Sequence, residues 1–119
     1  MSTYHEIIDQ LVNETRKNST YSRRVAENAP FPVESEQSAF NSLLSSLSEE
    51  QRELLSEILN QERNSSIHDV LAVFSWWIEC LGVGFSANGR PMVVGLSGMG
   101  MHGDYAGRAN DWAWPGDEA

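Results

Sequence analysis

The chain has 119 residues, with 17 acidic and 8 basic side chains and a formal net charge of −9 at pH 7. This charge argues against nucleic acid and against anionic membranes as partners, because both are bound through basic surfaces. The length favours one domain over residues 1–119, with weakly attached helices in residues 1–33 as an alternative arrangement. The single cysteine, Cys80, excludes an intrachain disulfide and a zinc site built from thiolates.

The chain shows no targeting segment. Its first residues have neither the basic nor the apolar region of a secretory signal, and no apolar run approaches the ~20 residues of a membrane span. We therefore expect a cytoplasmic protein, and we expect it to need no cofactor.

Apolar spacing predicts two N-terminal helices. Residues 3–16 carry an apolar stripe, and Asp9 lies on the opposite, polar side. Residues 19–28 form a weaker helix, which ends before Pro30. The stripe of the first helix consists of Ile7, Ile8, Leu11 and Val12.

Two further helices meet at Ser48. One is predicted from near Ser35 to Leu47. Ser48 and Gln51 then have the spacing of a capping box, in which each side chain accepts the backbone N–H of the other residue. The helix that follows carries an acidic ridge, which is either a solvated face or a docking surface for a basic partner. The ridge consists of Glu49, Glu53 and Glu57.

The central element of the predicted fold is a helix over residues 66–81. Asn64-Ser-Ser66 separates it from the preceding helix, and Ser66 with Asp69 matches a second capping signal. Because this helix is apolar over most of its circumference, we expect it to be covered on more than one side. Its wide apolar face consists of residues 67, 70, 71, 74, 77, 78 and 81, and Val73, Trp76 and Cys80 form a second strip.

After Leu81 the pattern changes to a hairpin. Asn88-Gly89 is a strong two-residue turn signal within residues 83–95. The next stretch is rich in glycine and methionine and predicts a packed loop over 97–108. The sequence therefore predicts a mainly α protein, with about five helices around the helix at 66–81, a small C-terminal β-hairpin and a glycine-rich packed tail.

Gly98, Gly100 and Gly103 match the G-x-G-x-x-G pattern of dinucleotide-binding proteins. That motif requires a following helix, a second parallel strand and an acid about 20 residues on, and the 16 residues after Gly103 do not suffice. A weaker hypothesis remains, in which backbone N–H groups of these glycines bind a small anion.

Several side chains that could bind or react with a ligand lie in the same predicted loop. Arg108 is suited to a carboxylate or phosphate, His102 to carrying a proton, and Asp104 to orienting His102. The alternative is structural: Asp104 caps a turn or pairs with Arg108, while His102 and Tyr105 fill space. The predicted ligand-binding residues are Gly98, Gly100, His102, Gly103, Tyr105 and Arg108.

His68 stands in the first turn of the predicted central helix, where the helix dipole favours its neutral form and hence a role as base or metal ligand. A metal site with His102 and a carboxylate such as Asp69, Asp104 or Glu79 has no spacing signature, so we predict no metal. The candidate catalytic residues are His68, His102, Asp104 and Arg108.

Four elements of the chain resemble a family of small bacterial proteins classed only as a domain of unknown function. They are Ile67-His-Asp-Val-Leu, Trp76-Trp-Ile, Ser97-Gly-Met-Gly-Met-His-Gly-Asp-Tyr and Asp111-Trp-x-Trp-Pro. The resemblance covers about residues 47–115. It implies no activity and no site residues, because the family comes with none.

Two functional hypotheses follow. The first is an acidic interaction module that binds a basic protein, of which an immunity-type protein neutralising a basic toxin is one form. The second is a small-ligand or anion-binding protein, or an enzyme, with its site between the start of the central helix and the 97–108 loop. It requires His68 and His102 to lie within about 12 Å of each other. Tail tryptophans Trp112 and Trp114, if exposed, would favour a homodimer.

Overall fold

A computed structural model describes residues 2–116 and places them in five helices and one short hairpin. The helices are α1 (Thr3–Arg16), α2 (Thr20–Ala26), α3 (Glu34–Ser46), α4 (Glu49–Leu81) and α5 (Gly100–Ala109). The strands are β1 (Ser86–Ala87) and β2 (Arg90–Pro91). The predicted fold class, mainly α with a small C-terminal hairpin, is confirmed. Within this part of the chain no helix has the length and apolar character that crossing a membrane requires.

The chain forms two compact units. The first contains the described residues up to Arg16 and from Ser65 onward, and the second contains Lys17–Asn64. Helix α4 contributes residues to both. The expectation of a single domain stays a prediction.

In the first unit, α1 supplies one side of the core. Tyr4, Ile8 and Val12 recur every four residues and are almost fully buried. The predicted stripe was displaced, since Ile7 is exposed and Tyr4 takes its place at the core. The other buried residues of this core are Leu71, Met101, Tyr105 and Trp114.

The second unit has its own small core of Val25, Phe31 and Leu44. The Asn41 side chain holds Phe31 in place, accepting its N–H at 2.7 Å and donating to its carbonyl at 3.1 Å. The predicted capping box is confirmed at the start of α4. The Ser48 hydroxyl accepts the Gln51 N–H at 3.1 Å, and the Gln51 side chain accepts the Ser48 N–H at 2.9 Å.

The predicted break at Asn64-Ser-Ser66 is wrong, because α4 runs through it without interruption. The Ser66–Asp69 capping signal is therefore not used. Asn and Ser each cost only about 0.5 kcal/mol relative to alanine inside a helix. That cost is small compared with the backbone hydrogen bonds that an extra helix end would leave unpaired.

The predicted glycine-rich loop is also wrong, since most of it forms α5. Met101, Asp104 and Tyr105 have the i, i+3, i+4 spacing of one helix face, and all three are buried. Two glycines allow the packing. A Cβ at Gly100, which has a φ of +80°, would lie 2.7 Å from the Ser75 hydroxyl, and one at Gly103 would lie 2.4 Å from the Met99 Cβ. These glycines therefore serve close packing of a helix.

The part of α4 in the first unit is covered mainly on one side, although Phe85 also packs edge to face against Phe74. This corrects the prediction of a helix covered on several sides. Leu71 and Ser75 are buried, whereas the opposite side is exposed. We call this side the α4 apolar face, which consists of Val70, Val73, Phe74, Trp77 and Leu81, with Trp76 beside it. The predicted wide face included the buried Leu71 and assigned Val73 to a second strip, because helical spacing does not show which side another element covers.

The hairpin turn is confirmed at Asn88 and Gly89, both of which have positive φ angles. The strands pair antiparallel, with Ser86 opposite Pro91. Each strand has only two residues, so the paired region is much shorter than the predicted 83–95.

Candidate functional site

Asp104, a candidate catalytic residue, is fully buried and has a structural set of partners. Its carboxylate accepts hydrogen bonds from the Tyr4 hydroxyl and from the backbone N–H groups of Leu96 and Ser97, the last two at 2.8 and 2.5 Å. It does not orient His102. The prediction that Asp104 orients His102 assumes a loop, whereas residues two positions apart on a helix point in different directions.

Tyr4 is the buried partner of Asp104. Burial, followed by the hydrogen bond to Asp104, raises the pKa of the Tyr4 phenol well above its ordinary value of 10.0. The phenol therefore stays protonated and donates to the carboxylate, which ties α1 to α5.

Arg108 pairs with Asp9 of α1, and not with Asp104. Its Nε donates to the Asp9 carboxylate at 2.7 Å, and its guanidinium also donates to the Trp112 carbonyl. The other Asp9 oxygen accepts the Trp114 indole N–H at 3.0 Å. Arg108 and Asp9 are mostly buried by this arrangement. We call these four residues together with Tyr4 and Asp104 the α1–α5 network.

The remaining predicted ligand-binding residues are divided between core and turn. Tyr105 is buried, and its hydroxyl donates a hydrogen bond to the Thr15 hydroxyl at 2.8 Å. The Gly98 N–H, one of the amides predicted to bind an anion, donates a hydrogen bond to the Gly95 carbonyl instead. The proposed ligand-binding roles of these residues stay predictions.

His68 and His102 do lie together, at one cleft of the first unit. Their ring centroids are 5.2 Å apart and their planes are nearly perpendicular, so the distance condition of about 12 Å is met. The cleft has a volume of about 450 Å³. It is lined by His68, Ser97, Met99, His102, Gly103, Ala106, Gly107, Asn110 and Trp112.

Each histidine has an oxygen near its Nδ1. The Asp69 carboxylate lies 3.5 Å from His68 Nδ1, and the Ser75 hydroxyl lies 3.4 Å from His102 Nδ1. Ser75 also accepts the Met101 N–H at 2.7 Å and is buried, so it does not line the cleft as a nucleophile would have to. Among residues 2–116, no three His, Cys, Asp or Glu side chains are grouped so that they could hold a metal ion.

The α4 apolar face is the second candidate surface. Its members are between 42% and 55% exposed and recur at the i, i+3, i+4, i+7 spacing that helices use to pair with helices. Asp69 and Glu79 are the charged residues on this stretch of α4, and no Lys or Arg occurs between Asn64 and Gly89. The surface is therefore apolar, with Asp69 at its edge and no basic residue on this stretch of the helix.

The tail tryptophans are not an exposed surface. Trp114 is almost fully buried and stacks against His5, with ring centroids 4.1 Å apart, while Trp112 is half-buried against Gly107. A homodimer stays a prediction, without the support that an exposed tail would have supplied.

Asp9 and Ser75 are among the residues that sequence reasoning missed. Asp9 gave no signal, because a charged residue opposite an apolar stripe is usually solvated. Ser75 did give one, as a lone polar residue between apolar neighbours in α4. Sequence alone could not interpret this signal, because it did not show which side of the helix is buried.

Comparisons with known proteins identify a family for the chain but no activity. A protein-family model described only as a family of unknown function matches residues 1–116. It extends further toward the N-terminus than the resemblance over 47–115. No curated protein and no solved structure matches the chain significantly.

Proposed function

The chain belongs to this family of unknown function, DUF6547, and we propose that it acts as an acidic protein-interaction module whose α4 apolar face binds a basic amphipathic helix of another protein. The exposure of this face carries the proposal. A monomer gains nothing by exposing Val73, Phe74 and Trp77 side by side, and such patches are typical of interaction sites.

The shape of the surface favours a helix as the partner. Val70 to Leu81 covers three turns, or about 17 Å, along a straight rod. Side chains at this spacing leave grooves into which a second helix inserts its own apolar side chains. Trp76 and Trp77, whose rings meet edge to face at 5.7 Å, supply the large aromatic contacts that often dominate binding energy.

Charge favours a basic partner over a second copy of the chain. Asp69 lies at the edge of the face, and the whole chain carries a net charge of −9. Two copies would bring like charges together, whereas lysines and arginines flanking an apolar stripe would meet opposite charges. Neutralising a basic toxin in the cytoplasm, as an immunity-type protein does, would be one form of this function.

A designed peptide tests the proposal. The probe is a helical peptide of about 15 residues with leucines on one side and lysines on the other, and the control replaces lysine by glutamate. We expect calorimetry to show binding of the lysine peptide that weakens as salt rises, because screening reduces the attraction between the peptide and the negatively charged chain. Val73→Ser should weaken binding by roughly tenfold, since it removes apolar area at the contact.

Val93→Ser is the matched control, because Val93 is an equally apolar and even more exposed side chain outside α4. It should leave binding unchanged. The proposal is wrong if both peptides bind equally, if Val73→Ser and Val93→Ser have the same effect, or if neither peptide binds. It is also wrong if sedimentation shows a dimer that Val73→Ser dissociates, since a second copy would then occupy the face.

A further inference from the structure

The two cleft histidines have one nitrogen each left for a ligand. In both rings the Nδ1 faces an oxygen, of Asp69 for His68 and of Ser75 for His102. Neither Nε2 has a partner among the residues that the structure describes. Metal-binding histidines commonly have this arrangement, in which an oxygen takes the proton of one nitrogen and directs the lone pair of the other to the metal.

The separation of the rings suits one shared ion. An ion about 2 Å from a nitrogen of each ring lies about 3 Å from each centroid. At bond angles near tetrahedral, the two centroids are then about 5 Å apart. The observed separation is 5.2 Å, and the His68 side chain is 43% exposed, so its ring has room to turn toward a common ion.

Met99 supplies a third donor at the same cleft. Its side chain lies beside Gly103, where a Cβ would approach the Met99 Cβ to 2.4 Å, and Met99 lines the cleft together with both histidines. The residue is 70% exposed, so the thioether is free to reorient toward an ion.

The chemistry of the cleft favours a soft cation over an anion. No Lys or Arg lines it, and the backbone N–H groups of Met99 and Met101 already donate to Ser97 and Ser75. Among residues 2–116, no carboxylate that would hold calcium or magnesium lines it. Two imidazoles and a thioether are ligands that copper(I) accepts, and a net charge of −9 attracts cations.

From these contacts we propose that the cleft binds one copper(I) ion through Nε2 of His68, Nε2 of His102 and the thioether of Met99. The site is independent of the proposed interaction surface. Successive residues are about 100° apart around a helix, which places His68 on the side of α4 opposite the apolar face.

Competition with bicinchoninate, which forms a coloured copper(I) complex, tests this under anaerobic conditions with ascorbate. All variants carry Cys80→Ser, because Cys80 is an exposed thiol that would bind copper(I) itself. We expect one copper(I) ion per chain. His68→Gln and His102→Gln should each weaken binding at least about tenfold, and Met99→Leu, which keeps the side-chain volume, should weaken it severalfold.

The third histidine is the matched control. His5 lies at a different cleft, with the start of α1 and the hairpin, so His5→Gln should leave copper affinity unchanged. Circular dichroism confirms that each variant is folded. The proposal is overturned if the Cys80→Ser protein binds no copper(I), if His5→Gln weakens binding as much as His68→Gln, or if Met99→Leu has no effect. Retention of zinc but not copper(I) would also overturn it.

Discussion

The four side chains that were expected to meet in one site belong to two different regions of the first unit. Asp104 and Arg108 belong to the α1–α5 network, where their polar atoms are bonded to α1 and to the backbone. His68 and His102 line an open cleft, and each has a ring nitrogen without a described partner. A polar residue is therefore available for chemistry only when the fold leaves one of its hydrogen-bonding positions open.

The largest expected effect concerns Asp104, at the centre of the network. Asp104→Asn keeps the volume but turns an NH₂ group toward a donor, which leaves buried groups of Tyr4 or Leu96 without an acceptor. We expect a loss of about 3 kcal/mol in the free energy of unfolding, measured by urea titration with tryptophan fluorescence. Asp111→Asn, at an exposed acid, should cost less than about 0.5 kcal/mol. A loss that small at Asp104 would remove the distinction between the regions.

The second effect concerns the pair of Asp9 and Arg108. Asp9→Asn removes the charge that the mostly buried guanidinium faces, and we expect a loss of about 2 kcal/mol. A double-mutant cycle with Arg108→Gln should show a coupling energy of about 1 kcal/mol or more. If the two losses simply add, Arg108 is not held by Asp9 and becomes available as a ligand-binding residue.

A smaller effect should appear at high pH. The pKa of Tyr4 is raised in the folded protein, so above pH 10.0 the unfolded chain loses a proton that the folded chain keeps. Ionisation therefore stabilises the unfolded state, and stability falls as pH rises through 10.0 toward the folded pKa. Urea titrations from neutral to alkaline pH should show a steeper fall for wild type than for Tyr4→Phe. Equal slopes would mean that Tyr4 is not held protonated by the network.

The smallest effect is expected at the cleft. His68→Gln should change the free energy of unfolding by less than about 0.5 kcal/mol, because the side chain is partly exposed and its contact with Asp69 is long. The same urea titration measures it. A loss comparable to that of Asp104→Asn would show that the cleft belongs to the core, and the contrast between the two regions would fail.

Parts of the fold that depend on neighbouring residues were predictable. The capping box of Ser48 and Gln51 and the turn at Asn88-Gly89 formed as expected, since each depends on atoms a few residues apart. The predicted break at Asn64-Ser-Ser66 was wrong because a local capping signal competes with continuation of the helix, and the two alternatives differ little in free energy. The number of helices was right partly because this error and the missed helix α5 offset each other.

The candidate site was less predictable. Glycines at 98, 100 and 103 indicated a loop, yet burial of Met101 and Tyr105 stabilises a helix there. Once that segment is helical, Asp104 and His102 point apart and Asp104 meets Tyr4, which lies 100 residues earlier in the chain. No spacing rule links two residues that far apart.

Local sequence patterns were sufficient to predict that the chain is mainly helical, where the first three helices lie and where the hairpin turns. These follow from interactions within one or two helical turns. The covered side of α4 and the helical state of α5 depend on contacts between distant segments of the chain. So do the bonds of Asp104 and Arg108 to α1 and the position of His68 and His102 at an open cleft. The physical reason is that burial and long-range hydrogen bonds outweigh local preferences of a few tenths of a kcal/mol per residue.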